Sequence, residues 1–186
     1  MATLEDRLRV EGRIAVGEVA RIVRDVLVGL GDMHARGRLH RAIRPAYVLV
    51  EEGRARLLDP GERRRSCDVE SYEWALTGFG CMAPEQVRGH SELDASADIY
   101  GVGVVTFLAL TGTSPFASKN ALALISQKLD RDPPSLSDVS GKPWPPAFER
   151  FARRALARQR EGRFGSATEA LDAWKSACVR WLGLPS

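Results

Sequence analysis

The stretch "DIYGVGVVTFLALT", residues 98–111, is apolar on nearly all sides. A helix of this kind has no polar face to turn toward water, so we expect it in the middle of a helical domain. Gly112 follows directly and is a typical helix terminator. The longest apolar run, which begins at Val102, is far too short to cross a bilayer. The stretch predicts a buried helix around which the other elements pack.

The sequence before this helix predicts two further helices. Residues 18–36 carry apolar side chains at spacings of three and four, which indicates one stripe of an amphipathic helix that ends near Gly37. A shorter helical segment, "TLEDRLRVEG", stops at Gly12.

The sequence after the central helix is also mostly helical. "NALALISQKLD" and "PAFERFARRALARQ" have the pattern of amphipathic helices, and "RDPPSLSDVSGKPWPP" between them predicts an irregular linker. The last helix is predicted in "SATEALDAWKSACVRWL". Ser166 and Glu169 at its start have the spacing of a capping box, in which each side chain satisfies a free amide at the helix start.

A small β-hairpin interrupts the helical pattern. The β-type runs "YVLV" and "RARLLD" are joined through Glu52 and Gly53, which favours a tight turn. The segment that follows, residues 60–85, has no sustained period and is long for a connection inside a compact domain. Loops of that length are often functional.

Composition sets the broad class of the protein. The 186 residues are 44% hydrophobic and 27% charged, as in an ordinary globular domain, and we expect one domain over residues 1–186. The formal charge of +3 comes from interspersed arginines and does not indicate nucleic-acid binding. The three cysteines lack metal-site spacing and leave an odd number for disulfides, which favours a reducing compartment. The charged N-terminus completes a prediction of a cytoplasmic protein without membrane association.

Five motifs in order carry a family resemblance: "LHRAIRPAYVLV", "LLDPG", "CMAPEQ", "SADIYGVGVVTFLALTGTSPF" and "LARQREGRFGSATEAL". Together they resemble the C-terminal lobe of bacterial, eukaryotic-like Ser/Thr protein kinases over almost the whole chain. The resemblance implies a mainly α, kinase-like helical bundle with the hairpin at the catalytic-loop position. The Gly-rich turn, the strand lysine and the helix glutamate of an N-terminal lobe are not found. We therefore expect a C-lobe whose N-lobe is absent.

The catalytic positions implied by the resemblance are degenerate. The aspartate that would accept the substrate's proton is Ala42, and the lysine that would contact the transferred phosphate is Arg44. The asparagine that would hold a second magnesium ion is Tyr47. The threonine of the loop before the A-P-E motif is Gly78, which has no hydroxyl. These replacements predict that no residue here is catalytic.

One metal-binding carboxylate of the family pattern remains, Asp59 in "DPG". A single carboxylate makes a poor magnesium site, because the ion needs further oxygen ligands. Pro60 stands where the family has a phenylalanine that packs toward the N-lobe. We expect no cofactor, with ATP and magnesium binding unlikely to be retained, and a loop or capping role for Asp59 is favoured over a residual metal role.

The structural skeleton of the family is kept. The resemblance implies a buried ion pair between Glu85 and Arg163 that fastens the long loop to the last helices. It also implies that Asp98 accepts hydrogen bonds from the backbone near His40 and Arg41. We therefore expect His40 and Arg41 to be kept for architecture, His40 being a packing residue rather than a general base.

Several residues allow two interpretations. "ERRRSCDVE" is either a phosphate- or partner-binding patch near Arg41 or, more simply, a solvated loop. Cys81 is expected to fill space rather than to react. Four hydroxyls of the long loop are candidates for phosphorylation by another kinase, namely Ser66, Ser71, Tyr72 and Thr77.

The former inter-lobe face is the expected docking surface. In the family the residue at Leu49 lies beneath the adenine ring, so without nucleotide and N-lobe an apolar face with Tyr47, Leu49 and Pro60 would be bare. The alternative is that this face is polar or covers itself. The sequence thus predicts an inactive pseudokinase C-lobe that binds a protein partner, such as an active kinase or its substrate, or that forms a homodimer. The alternatives are a nucleotide sensor or an atypical phosphotransferase subunit that borrows an N-lobe.

Overall fold

The structure, a computed structural model, describes residues 2–60 and 78–182, with the side chains of Arg180 and Leu182 excepted. The chain is mostly helical, as predicted. The α-helices are α1 (Leu4–Glu11), α2 (Val16–Ala35), α3 (Pro84–Val87), α4 (Ala95–Thr111), α5 (Ala121–Asp130), α6 (Leu136–Ser140), α7 (Pro146–Ala155) and α8 (Ala167–Leu182). Short 3-10 turns cover Pro45–Tyr47 and Arg160–Gly162.

A small antiparallel sheet with the order β1-β2-β3 packs beside α2. The hairpin of β2 (Val48–Glu51) and β3 (Arg54–Leu57) is confirmed. Its loop residues Glu52 and Gly53 both have positive φ, 48° and 76°, as a two-residue hairpin turn of the primed type requires. The sequence did not predict β1 (Ala2–Thr3), which pairs with β2.

Helix α1 begins and ends as its sequence predicts. Thr3 and Asp6 form a reciprocal capping box, with Thr3 Oγ1 3.1 Å from the Asp6 amide and Asp6 Oδ2 2.9 Å from the Thr3 amide. Gly12 ends the helix with φ of 74°. The N-terminal segment formed by β1 and α1 lies directly against strand β2 of the hairpin.

Helix α4 is the buried centre of the domain, as its apolar sequence predicts. Asp94 caps its N-terminus, and Gly112 ends it in the left-handed conformation. It packs against α2, α6 and α7. It also packs against the loop that follows α2, where Gly101 is needed because an added Cβ would lie 2.7 Å from the Cβ of Ile43. The loop that follows α2 therefore lies directly on α4.

Two local predictions need correction. The linker between α5 and α7 is not wholly irregular, since it contains α6, whose first amides donate to the Glu149 carboxylate. At α8, Ser166 Oγ accepts from the Glu169 amide as predicted. The Glu169 carboxylate, however, accepts from the amide of Gly165 rather than from that of Ser166. The capping box is therefore only half formed.

Over residues 2–60 and 78–182, no helix is long and apolar enough to cross a membrane.

Candidate functional site

The loop at residues 40–47 is held in shape by the carboxylate of Asp98 on α4. Asp98 Oδ2 accepts from the amide of His40 at 2.8 Å, and Oδ1 accepts from the amide of Arg41 at 2.6 Å. His34 Nε2 lies 2.9 Å from Oδ2 and donates to it. Arg41 has φ of 62°, which is unusual for a residue with a side chain. The bonds to Asp98 compensate the strain of that backbone conformation.

His40 joins this loop to the strand pair. Its Nε2 donates to the Leu58 carbonyl at 2.7 Å, and its Nδ1 accepts from the Ala42 amide at 3.3 Å. Burial lowers the pKa of His40, and it outweighs the opposing effects of the Leu58 carbonyl and the Asp98 carboxylate. Both ring nitrogens are thus occupied by the backbone, an arrangement that orients the loop and leaves neither nitrogen facing a substrate.

The four positions predicted to be degenerate lie together around one cleft of about 230 Å³, which we call the loop cleft; they are Ala42, Arg44, Tyr47 and Gly78. Its lining combines the loop, the segment before α3 and the first turns of α4. The lining residues are Arg41, Ala42, Ile43, Arg44, Tyr47, Gly78, Cys81, Met82, Gln86, Ala97, Asp98 and Gly101.

Within the loop cleft, Arg44 lies where two of the altered positions meet. Its guanidinium carbon is 5.0 Å from the centre of the Tyr47 ring, a cation–π distance. Its Nη1 is 3.0 Å from the point where a Cβ on Gly78 would lie. A side chain at position 78 would therefore press on the guanidinium, so the glycine and the arginine fit each other.

Asp59 lies outside the loop cleft and pairs with an arginine. Arg38 Nη2 is 2.6 Å from Asp59 Oδ2, and both side chains are largely exposed. Pro60, next in sequence, is half-buried. Within the described part of the chain, no three His, Cys, Asp or Glu side chains are grouped as metal ligands. No sequence pattern predicted that Arg38 would pair with Asp59.

Glu85 and Arg163 form the ion pair that the resemblance implies. Arg163 Nη1 is 2.7 Å from Glu85 Oε1, and Nη2 is 2.9 Å from Oε2. The same guanidinium donates to three backbone carbonyls, those of Ser96, Ala157 and Arg158. This charged group therefore ties α3, α4 and the turn before α8 together while every one of its donors is used.

Sequence reasoning missed Lys128, which is only 1% exposed on α5. Its Nζ donates to the Gly80 carbonyl at 2.5 Å and lies 4.7 Å from the Tyr100 ring centre. Burial lowers its pKa to about 8. The sequence could have indicated this burial, because Lys128 follows the buried Leu124 by four positions and so lies on the same face of the helix.

Two smaller contacts were also missed. Gln86 Nε2 donates to the Arg41 carbonyl, and Gln86 Oε1 accepts from the Ala83 amide. This residue and His34 connect the loop to α3 and α2, but an isolated glutamine or histidine has no pattern that would reveal such a contact. Cys81 is buried as predicted, and burial raises its pKa to about 11, which leaves the thiol protonated at neutral pH.

The face predicted to dock a partner, at Tyr47, Leu49 and Pro60, is half-buried. Leu49 is half-buried and pairs with Thr3 of β1 on one side and Arg56 of β3 on the other. Tyr47 and Pro60 are half-buried as well. The large apolar side chains that are exposed lie elsewhere among the described residues: Val10, Val28, Phe79, Leu122, Val179 and Trp181. Among the described residues these three side chains are neither fully buried nor fully exposed, and both interpretations of the face stay predictions.

Some predictions concern residues outside the described ranges. These are the arginine patch in "ERRRSCDVE" and the candidate phosphorylation sites Ser66, Ser71, Tyr72 and Thr77. They stay predictions.

Comparison with known proteins gives consistent similarities. A family profile described as "Protein kinase domain" matches residues 1–174. The serine/threonine-protein kinase PknL of Mycobacterium tuberculosis is 33% identical over 98% of this chain and 46% of its own length. The serine/threonine-protein kinase pkn3 of Myxococcus xanthus is 37% identical over 84% of this chain and 30% of its own length. PknB of Mycolicibacterium smegmatis is 30% identical over 90% of this chain and 27% of its own length. The chain thus spans less than half the length of these relatives.

Proposed function

Because the chain belongs to the protein kinase family, we propose that it is a catalytically inactive, kinase-like C-lobe that serves as a protein-binding or regulatory module in bacterial signalling. The observation that carries this proposal is the loop cleft. Its backbone is held by two hydrogen bonds from the amides of His40 and Arg41 to Asp98, while its catalytic-base position is the methyl group of Ala42.

The chemistry of phosphoryl transfer explains why the alanine at position 42 argues against catalysis. A protein kinase needs an aspartate to accept the substrate's proton, and an asparagine with a second aspartate to hold the metal ions. Here these positions are Ala42, Tyr47 and Asp59, and the Asp59 carboxylate is engaged by Arg38. A shaped loop without a base or a metal site is suited to binding rather than to turnover.

The proposed ligand is a protein, with an active kinase or a substrate of one as the candidates and a second copy of this chain as the alternative. The relatives are named as Ser/Thr kinases, so a degenerate member is expected to act beside an active one. The partly covered face at Leu49 makes the loop cleft the better candidate for the contact.

The first test is phosphotransfer and nucleotide binding by the purified protein. Radiolabel from ATP with magnesium or manganese should not enter the protein or a generic acceptor, and ATP at millimolar concentration should not raise the melting temperature. Phosphotransfer would instead support an atypical phosphotransferase subunit that uses the N-lobe of another chain. A thermal shift with ATP and magnesium that Asp59→Ala abolishes would support a nucleotide sensor.

The second test concerns the binding role. Tagged protein is captured from its native cells and compared with Leu49→Arg and Arg44→Gln, after circular dichroism has shown that both variants are folded. Loss of a specific partner with either variant supports a docking module and locates its surface. A partner list that neither substitution changes would contradict a role for these two faces.

A further inference from the structure

A groove on the surface between α7 and α8 shares no lining residue with the loop cleft. We call it the α7–α8 groove, and it has a volume of about 280 Å³. Helix α7 lines it with Ala147, Arg150, Phe151 and Arg154, which are spaced i, i+3, i+4 and i+7 and so share one face of the helix. The groove therefore follows α7 for about two turns.

The floor of the α7–α8 groove is aromatic, and its α8 wall is made of small side chains. Phe151 and Phe164, which are 3% and 2% exposed, form the floor, with ring centres 5.3 Å apart. The wall consists of Ala173, Ser176 and Ala177. The distance between packed helices depends on the side chains at their contact, so this wall lets a third helix approach α8 closely. The groove thus offers an apolar side chain a place over two aromatic rings.

The charged side chains that line the α7–α8 groove are both arginines, and no described lining residue is acidic. Arg154 already has partners: its Nη2 donates to Glu169 Oε1 at 2.5 Å, and its guanidinium carbon lies 4.3 Å from the Phe164 ring centre. Arg150 is exposed and, within the described part of the chain, has no hydrogen bond, ion pair or ring contact. The positive charge of Arg150 is therefore available to a partner.

These features fit an acidic helix better than other anionic ligands. The two floor rings are too buried to stack with nucleotide bases, which need an exposed ring face. A lipid surface would meet the rim of a concave groove and leave its apolar floor unused. In helix-in-groove recognition, by contrast, an amphipathic helix places apolar side chains in a hydrophobic groove. Acidic side chains beside those anchors would complement Arg150.

We propose that the α7–α8 groove binds an acidic amphipathic helix of a partner protein, with an apolar side chain over Phe151 and Phe164 and a carboxylate against Arg150. This inference goes beyond the proposed function, because it concerns a second surface that depends neither on the loop cleft nor on the loss of catalysis.

The test uses the whole protein and capped helical peptides, with binding measured by calorimetry and by NMR shifts. The acidic probe has leucines at positions i, i+3, i+4 and i+7, flanked by glutamates. One control peptide replaces the glutamates by glutamines, and the other replaces the leucines by alanines. We expect saturable binding of the acidic probe that shifts the signals of Phe151 and Phe164 and weakens with added salt, with weaker binding of both controls. No binding of the acidic probe, or equal binding of either control, would overturn the proposal.

Variants of the protein locate the contact, after circular dichroism has shown that each is folded. Ala173→Leu narrows the groove and should weaken binding of the acidic probe about tenfold. Arg150→Gln should weaken it about threefold, and Arg150→Glu should make the protein prefer a probe with lysines in place of the glutamates. Arg153→Gln is the matched control, because this exposed arginine of α7 does not line the groove. Equal effects of Arg150→Gln and Arg153→Gln would refute the contact with Arg150.

Two further outcomes would identify a different ligand. Binding of single-stranded DNA or of phosphatidylglycerol vesicles, weakened by Arg150→Gln as much as binding of the acidic probe is, would overturn the helix assignment in favour of a general anion surface. Self-association of the protein without any probe, abolished by Ala173→Leu, would assign the groove to a second copy of this chain instead.

The outcomes also separate this inference from the proposed function. If the acidic probe does not bind, but the protein lacks phosphotransfer and captures a partner that Arg44→Gln loses, the inference fails and the proposed function stands. If the acidic probe binds as expected and the protein shows phosphotransfer, the inference stands and the proposed function fails.

Discussion

Arg163 and Glu85, 78 positions apart in sequence, form a two-point ion pair in the interior of the domain, with Arg163 only 2% exposed. Removing one partner of a buried pair leaves the other charge without compensation, which typically destabilises a protein by about 3–5 kcal/mol. Arg163 also donates to three backbone carbonyls, so replacing it should destabilise the protein more than replacing Glu85 does.

The corresponding prediction is that Arg163→Met lowers the free energy of unfolding by about 3–5 kcal/mol, and that Glu85→Gln lowers it by less. Urea denaturation followed by circular dichroism measures both. Arg153→Met is the matched control, since this arginine is exposed on α7 and should change stability little. Similar losses for Arg163→Met and Arg153→Met would contradict the importance of the pair.

Replacing two helical glycines by alanine should change the free energy of unfolding in opposite directions. At Gly101 of α4 an added methyl group would lie 2.7 Å from the Cβ of Ile43, so Gly101→Ala should destabilise by about 1–3 kcal/mol through overpacking. At Gly29 of α2 nothing lies within 4 Å of that position. Gly29→Ala should therefore stabilise by roughly 0.5–1 kcal/mol through helix propensity alone.

Thermal and urea denaturation of the two variants test this prediction. It is specific because one variant should lower the free energy of unfolding and the other should raise it. Because Ile43 lies in the loop cleft, Gly101→Ala should also shift the NMR signals of that loop. Destabilisation by both variants would show that α2 is packed more tightly at Gly29 than its surroundings indicate.

The parts of the fold that the sequence reveals are those where a pattern repeats or a special backbone is required. The all-apolar character of α4, the stripe of α2 and the Glu52–Gly53 turn are of this kind, and all three are confirmed. Strand β1 was not predicted, because two residues are too few to show an alternation. Helix α6 has five residues inside a proline-rich stretch, and besides its Ser135 cap it depends on Glu149, which accepts from the amides of Leu136 and Ser137.

The same distinction applies to the candidate site. The motif order located the loop, its altered positions and the residues around Asp98, since each has a fixed place in the family pattern. Sequence could not reveal that Arg44 would lie against Gly78 or that Arg38 would engage Asp59. Both contacts join residues far apart in the chain, and their geometry arises only when the elements pack.

Buried Lys128 should make stability depend on pH in an unusual direction. Burial lowers its pKa from 10.5 to about 8 in the folded protein, so above pH 8 the unfolded chain binds more protons than the folded one. The destabilisation caused by the buried charge is complete below pH 8 and is lost as the pH rises toward 10.5. Between pH 7.5 and 9 this lysine should raise the free energy of unfolding by about 1 kcal/mol.

Lys128→Met should remove most of that rise, and Lys175→Met, at an exposed lysine of α8, should leave it in place. Urea titrations at pH 7.5, 8.25 and 9 measure the difference. The pH range ends at 9 because of the buried thiols of Cys81 and Cys178, whose pKa values are raised to about 11. Above pH 9 these thiols lower the free energy of unfolding as the pH rises, which opposes the effect of Lys128. The same rise in wild type and in Lys128→Met would show that Lys128 is not its source.

Arg44 and Gly78 should be energetically coupled, because the guanidinium occupies space that a side chain at position 78 would need. Gly78→Ala alone should destabilise by about 1 kcal/mol, at the low end of overpacking, since the new Cβ would lie 3.0 Å from Nη1 at the flexible end of Arg44. Arg44→Lys alone should cost about 0.5–1 kcal/mol through the weaker contact with Tyr47. The double variant should lose less than the sum, with a coupling of about 1 kcal/mol, because lysine leaves the space that the new methyl group fills.

A second cycle provides the control for this coupling. At Gly80 an added Cβ would meet only Ser114 Oγ, at 3.9 Å, so Gly80→Ala should be additive with Arg44→Lys. Coupling at Gly78 and additivity at Gly80 would mean that the replacement of the family's threonine and that of its lysine depend on each other. The loop cleft would then be an arginine site with its own packing rather than a catalytic site in which isolated residues have been lost. Additivity in both cycles would mean that Arg44 moves aside freely when a side chain is added at position 78.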